Sequence, residues 1–217
     1  MWRHFYFDWR KNSTQKLNMI HQIMLRIADV LIDIQSEKDF SEETGLIHFK
    51  ENDLSLPADV KVLIRYSVPD FDIQIPPDFE ARNEQLVFYR IFKKENGLLF
   101  VIYSQEVPDE IQQIAWLDQS KLNWEIYIPD EKLIAGNPLK FPMLPIMMHY
   151  ICHQFDAVMI HASCVSDSGK GRVFSGFSGA GKSTMSKIWS DAGRTIINDD
   201  RLIISKTEDV YKLSKPP

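Results

Sequence analysis

With 217 residues, 44% of them hydrophobic and 25% charged, the chain can bury one substantial core or two small ones. Its formal net charge of −5 argues against the clustered basic footprint of a nucleic-acid binder. Two cysteines, Cys152 and Cys164, are too few for a disulfide framework, and the most apolar stretch, 141–165, is broken by His149, His153, Gln154, Asp156 and His161, so neither secretion nor membrane insertion is expected and a cytoplasmic location is.

The opening residues are rich in aromatic and basic side chains and lack an apolar signal core; residues 1–23 read as a leader or a mis-called start, with Met19 or Met24 as the natural beginning. Beyond them, 27–35 alternates as a strand does. Residues 60–68 form another strand and stop at Pro69-Asp70. The runs 85–92 and 98–103 flank Asn96-Gly97, a strong hairpin signal, and 124–128 is a further strand ending at Pro129. The carboxylates Asp70, Asp72, Asp78 and Glu80 read as a solvated loop between prolines rather than a metal cluster. Residues 1–136 are therefore expected to form a mostly antiparallel, β-rich N-terminal domain.

A Pro-bracketed segment, 137–145, opens the second domain, expected over 137–217. A helix is predicted over 146–155. Its His149 and His153 have the i, i+4 spacing of a metal pair, but Tyr150 stands where a zinc protease needs Glu, and a bare helix-surface pair is the preferred reading. A buried strand follows at 157–165, a turn at Asp167-Ser168-Gly169, and a strand at 172–175.

Residues 176–183, Gly-Phe-Ser-Gly-Ala-Gly-Lys-Ser, then match G-x-x-x-x-G-K-[ST] in full. A loop that wraps a triphosphate with its N–H groups needs backbone conformations that glycine tolerates, here Gly176, Gly179 and Gly181. A helix must start at once, so that its free N–H groups face the anion; the run 183–192, closed by Gly193, meets that need. Lys182 would reach the β- and γ-phosphates, and Ser183 would bind Mg²⁺. Gly176, Ser178, Gly179, Ala180, Gly181, Lys182, Ser183 and Thr184 are the candidate nucleotide residues. The next strand, 194–197, runs into Asn198-Asp199-Asp200. Carboxylates at that strand end can hold a metal and accept a proton; the plain alternative is an Asp-Asp turn.

The run Ile160-His161-Ala162-Ser163, the loop from Phe174 to Thr184 and Asn198-Asp199-Asp200-Arg201 together resemble the P-loop core of the HPr kinase/phosphorylase family and of the phosphoenolpyruvate-carboxykinase-like serine kinases related to it. The resemblance covers about 141–211. It implies an α/β protein (α+β overall) with a partial phosphoenolpyruvate-carboxykinase/HPr-kinase-like nucleotide core, using ATP and Mg²⁺ to phosphorylate a hydroxyl on a protein, peptide or small molecule. It also implies that His161, Asp199 and Asp200 are catalytic, with Ser183 and Asp199 on the metal. From the residues alone, His161 reads as a buried strand histidine in preference to a catalytic one. In the related proteins more sheet follows the acidic strand, so unpaired edges and self-association are expected here. Two competing readings are a nucleotide-binding module without turnover and a phosphoenolpyruvate carboxykinase.

Overall fold

The computed structural model describes residues 21–40, 45–69, 75–83, 86–107 and 110–217. The first strands arise from an apolar run cut by a tight turn: β1 (His21–Ile27) and β2 (Val30–Ser36) are joined by Ala28 and Asp29, both at positive φ. The single strand expected over 27–35 is thus the end of one strand, a two-residue reversal and the start of the next. Met24 is buried within β1, which also takes in 21–23 of the expected leader; residues 1–20, with the alternative start at Met19, fall outside the described residues.

Strict alternation produces β4 (Val60–Arg65), in which Val60, Val62 and Ile64 are buried. With the short β3 (Lys50–Glu51), β5 (Phe79–Arg82), β6 (Val87–Lys94), β7 (Gly97–Tyr103), β8 (Ile111–Asp118) and β9 (Asn123–Tyr127), these form a nine-stranded sheet ordered β3-β1-β2-β4-β9-β8-β7-β6-β5. The β2–β4 and β4–β9 pairs are parallel, and β5 to β9 form an antiparallel meander. Every residue of β7 is buried, and Phe100 packs on Trp124 with ring centroids 5.4 Å apart. Glu80 is paired with Arg82 and Arg90, and Asp78 accepts a hydrogen bond from the Lys93 N–H, so these two carboxylates serve the β5–β6 edge. Asp70 and Asp72 lie outside the described residues.

The hairpin between β6 and β7 turns on Glu95 and Asn96, one residue earlier than Asn-Gly suggests, because Lys94 pairs with Gly97. Gly97 is needed for closeness: a Cβ there would lie 2.0 Å from the Leu117 carbonyl oxygen.

Two compact units result, one of residues 1–25 and 31–144, the other of 26–30 and 145–217. The second opens within α1 (Met143–Gln154) and is built on the long strand β10 (Ala157–Asp167). β10 pairs antiparallel with β11 (Lys170–Ser175) on one edge, and with β12 (Thr195–Asn198) and β13 (Arg201–Thr207) on the other; β14 (Val210–Ser214) extends β13. Ala162, Cys164 and Leu202 form its small core, with Ile160, Ile197, Ile204 and Leu213 packed around it. The register of β10 shifts between Cys164 and Val165, where the sheet bends. Gly171 sits where Leu213 passes over the strand, since a Cβ there would meet the Leu213 Cδ1 at 2.0 Å. The fold is mixed α/β and dominated by strands. No helix among the described residues is long and apolar enough to cross a membrane.

Candidate nucleotide-binding site

β11 reverses from β10 through Ser168 and Gly169, both at positive φ, and ends with Ser175 opposite Ala162. The chain therefore leaves the sheet beside His161. It turns through 176–181 and enters α2 (Lys182–Asp191). Gly179 and Gly181 lie at φ +81 and +85, the left-handed region that a side chain disfavours. Gly176 does not; its role is closeness, because a Cβ would stand 3.0 Å from the Ala180 Cβ. The expectation that all three glycines supply unusual φ is thus corrected for Gly176. The Ala180 N–H donates to the Phe177 carbonyl at 3.1 Å, closing the loop on itself.

Gly181 caps α2 without a side-chain hydrogen bond, which leaves the first-turn N–H groups open to an anion. Lys182 curls back over the loop and donates to the carbonyls of Gly176 (3.1 Å) and Phe177 (3.3 Å). Ser183 and Thr184 face solvent in the first turn. Four contacts fix the helix. The Ser163 hydroxyl donates to the Lys182 carbonyl at 3.0 Å, and Phe174 meets Trp189 with centroids 6.3 Å apart. At the far end Gly193 (φ +80) donates to the Ser190 carbonyl and Arg194 to the Trp189 carbonyl, a Schellman stop.

The acidic pair lies between β12 and β13. The Ala162 N–H donates to the Asp200 carbonyl at 3.1 Å, and the Asn198 amide donates to the Arg201 carbonyl, so the turn is pinned to β10 and to itself. One Asp200 carboxylate oxygen stands 3.3 Å from His161 Nδ1, and the other stands 3.4 Å from Arg201 Nε. Asp199 is exposed and makes no side-chain hydrogen bond or ion pair among the described residues. His161 is 59% exposed, which corrects the alternative of a buried strand histidine. His161 and Ser163 share the face of β10 that carries the start of α2, because residues two apart point the same way. The loop, Lys182, His161 and Asp200 are thereby assembled on one side of one small sheet.

At the opposite end of that sheet Asp167, the last residue of β10, pairs with Arg194 (2.7 Å), which immediately precedes β12, and with Arg172 of β11 (3.3 Å). Burial acts to raise its pKa, but the Arg172 hydrogen bond and the Arg194 charge together hold it below the usual aspartate range. In the sequence this residue shows only as part of a turn. Cys152 and Cys164 are buried free thiols, and burial pushes Cys152 up to about 11. His149 and His153 are both exposed on α1. Among the described residues no three His, Cys, Asp or Glu side chains come together as a metal cage. Ser183 and Asp199 are exposed oxygen donors of the kind that Mg²⁺ takes, one or two from the protein with phosphate and water completing its shell.

No curated protein and no solved structure matches the chain. Residues 140–214, roughly a third of it, match the family model of phosphoenolpyruvate carboxykinase. The matched stretch takes in β10, the glycine loop, α2 and the acidic turn, and over it the chain is similar to an ATP-utilising, phosphoenolpyruvate-carboxykinase-like family.

Proposed function

We propose that the protein binds Mg·ATP in the 176–183 loop and transfers the γ-phosphoryl group to a hydroxyl acceptor, as HPr-kinase-related serine kinases do. The observation that carries this reading is the juxtaposition of an uncapped helix start and Lys182 with the His161–Asp200 pair on the same face of β10. The γ-phosphate end of a triphosphate cradled by the loop would point along this face. Lys182 would exchange its two loop carbonyls for phosphate oxygens, a stronger, charge-assisted partner.

In the transfer, the acceptor oxygen forms a bond to the γ-phosphorus while the bond to the β–γ bridging oxygen breaks, and that electron pair leaves with ADP. The hydroxyl proton passes to the Asp200 carboxylate, beside which His161 Nδ1 stands at 3.3 Å. Catalysis of this kind rests on positioning and charge neutralisation. Ser183 and Asp199 would hold Mg²⁺, which neutralises phosphate charge when bound.

The test is transfer of label from γ-labelled ATP to a panel of hydroxyl-bearing proteins, peptides and small molecules. Asp200→Asn should still bind ATP and transfer at least a hundredfold more slowly; equal transfer by the variant would exclude Asp200 as the base. A second reading, phosphoenolpyruvate carboxykinase activity, is favoured by the family match over 140–214. Oxaloacetate-dependent ATP consumption would establish it in place of hydroxyl transfer.

A further inference from the structure

Arg201 has no task in the transfer chemistry just described, yet its placement is tightly determined. It is the register partner of His161 on the adjacent antiparallel strand, so the two side chains stand on the same face. Its carbonyl is held by the Asn198 amide, and its Nε faces Asp200 at 3.4 Å. The terminal amino groups of the guanidinium have no partner among the described residues, and 38% of the side chain is exposed.

The order across the sheet assigns a direction. The glycine loop springs from the end of β11, His161 stands on β10, and Arg201 stands on β13. With strands about 4.8 Å apart, Arg201 lies roughly 10 Å to the side of the loop's root, beyond His161 and Asp200. In-line transfer places donor, phosphorus and acceptor along one line, so the side away from the loop is where the acceptor arrives. A guanidinium there, with Nε already engaged, offers its outer N–H groups as a fork that fits two oxygens of one oxyanion.

We propose that Arg201 binds an anionic group, carboxylate or phosphate, that the phosphoryl acceptor carries beside its reacting hydroxyl; the proposal rests on nucleotide binding in the adjacent loop. The site then selects small hydroxy acids or hydroxy-phosphates over neutral polyols. A neutral acceptor would leave the fork unpaired while it covers it, a cost that an anionic acceptor avoids.

The experiment is titration of D-glycerate, glycerol 3-phosphate and glycerol into protein already saturated with Mg²⁺ and a non-hydrolysable ATP analogue. The wild type should bind at least one of the two anions tenfold or more tightly than glycerol, and which one it prefers distinguishes carboxylate from phosphate. Arg201→Gln should lose that preference, with Arg201→Lys intermediate because it keeps the charge without the fork. Glycerol binding as well as both anions, or a preference that survives in Arg201→Gln, overturns the proposal while nucleotide binding stands. Failure of the folded wild type to bind the analogue overturns the nucleotide reading, and this proposal with it.

Discussion

Lys182 rests on two carbonyls of its own loop, an arrangement that a triphosphate would replace with charge-assisted contacts. Such contacts contribute about 1.5–3 kcal/mol, or roughly 10–150-fold in affinity. Gly181 tests the same loop from the backbone side. Its Cβ position is open, so Gly181→Ala meets no steric clash, but φ +85 costs a side-chain-bearing residue about 1–2 kcal/mol. Urea unfolding should register that loss, and nucleotide affinity should fall with it. An unchanged midpoint would mean that the loop relaxes out of the left-handed conformation. The glycine spacing, the lysine and the acidic pair are all legible in the sequence, because each has a local chemical reason. The exposure of His161 is not. A histidine amid Met159, Ile160, Ala162 and Cys164 looks buried until the loop's departure at Ser175 shows that this part of β10 opens to solvent.

Among the elements, those with simple periodicity are readable. β4 alternates, β7 is a continuous apolar run, and α2 sits between a glycine loop and Gly193. β8 is invisible in the sequence because Gln112 and Gln113 are buried near its start. They are buried because their amides donate to the carbonyls of Phe141 and Pro138, a need created by a distant segment. Gly97 belongs to the same lesson. It reads as a turn residue, whereas the Leu117 carbonyl leaves no space for a Cβ. Gly97→Ala should therefore destabilise the nine-stranded sheet by about 1–3 kcal/mol, measured by denaturant unfolding; a neutral effect would show that β7 and β8 can separate freely. In the smaller sheet, Asp167 ties β10 to β11 through Arg172 and to the segment entering β12 through Arg194. Its pKa is lowered in the folded state, so its contribution is present above the ordinary aspartate value and is lost as pH falls through the folded value. Stability should thus decline below about pH 4. Asp167→Asn should flatten that acid limb; an unaltered pH profile would remove Asp167 as its source.

For the molecule as a whole, the two free cysteines both lie in the second compact unit, Cys152 on α1 and Cys164 in the β10 core. Burial raises both thiol pKa values, so alkylation in the native state should be slow and should report opening of that unit. Mg·ATP at a hundred times its Kd stabilises the folded state by about 2.7 kcal/mol and should slow alkylation by roughly a hundredfold. No slowing at saturation would place the nucleotide elsewhere. Calorimetric titration of Mg·ATP into the folded wild type and into Lys182→Ala decides whether the 176–183 loop is a triphosphate site. Binding by the wild type, weakened at least tenfold in the variant, is the predicted result. Equal affinity in the two proteins, or no binding by the folded wild type, would contradict it.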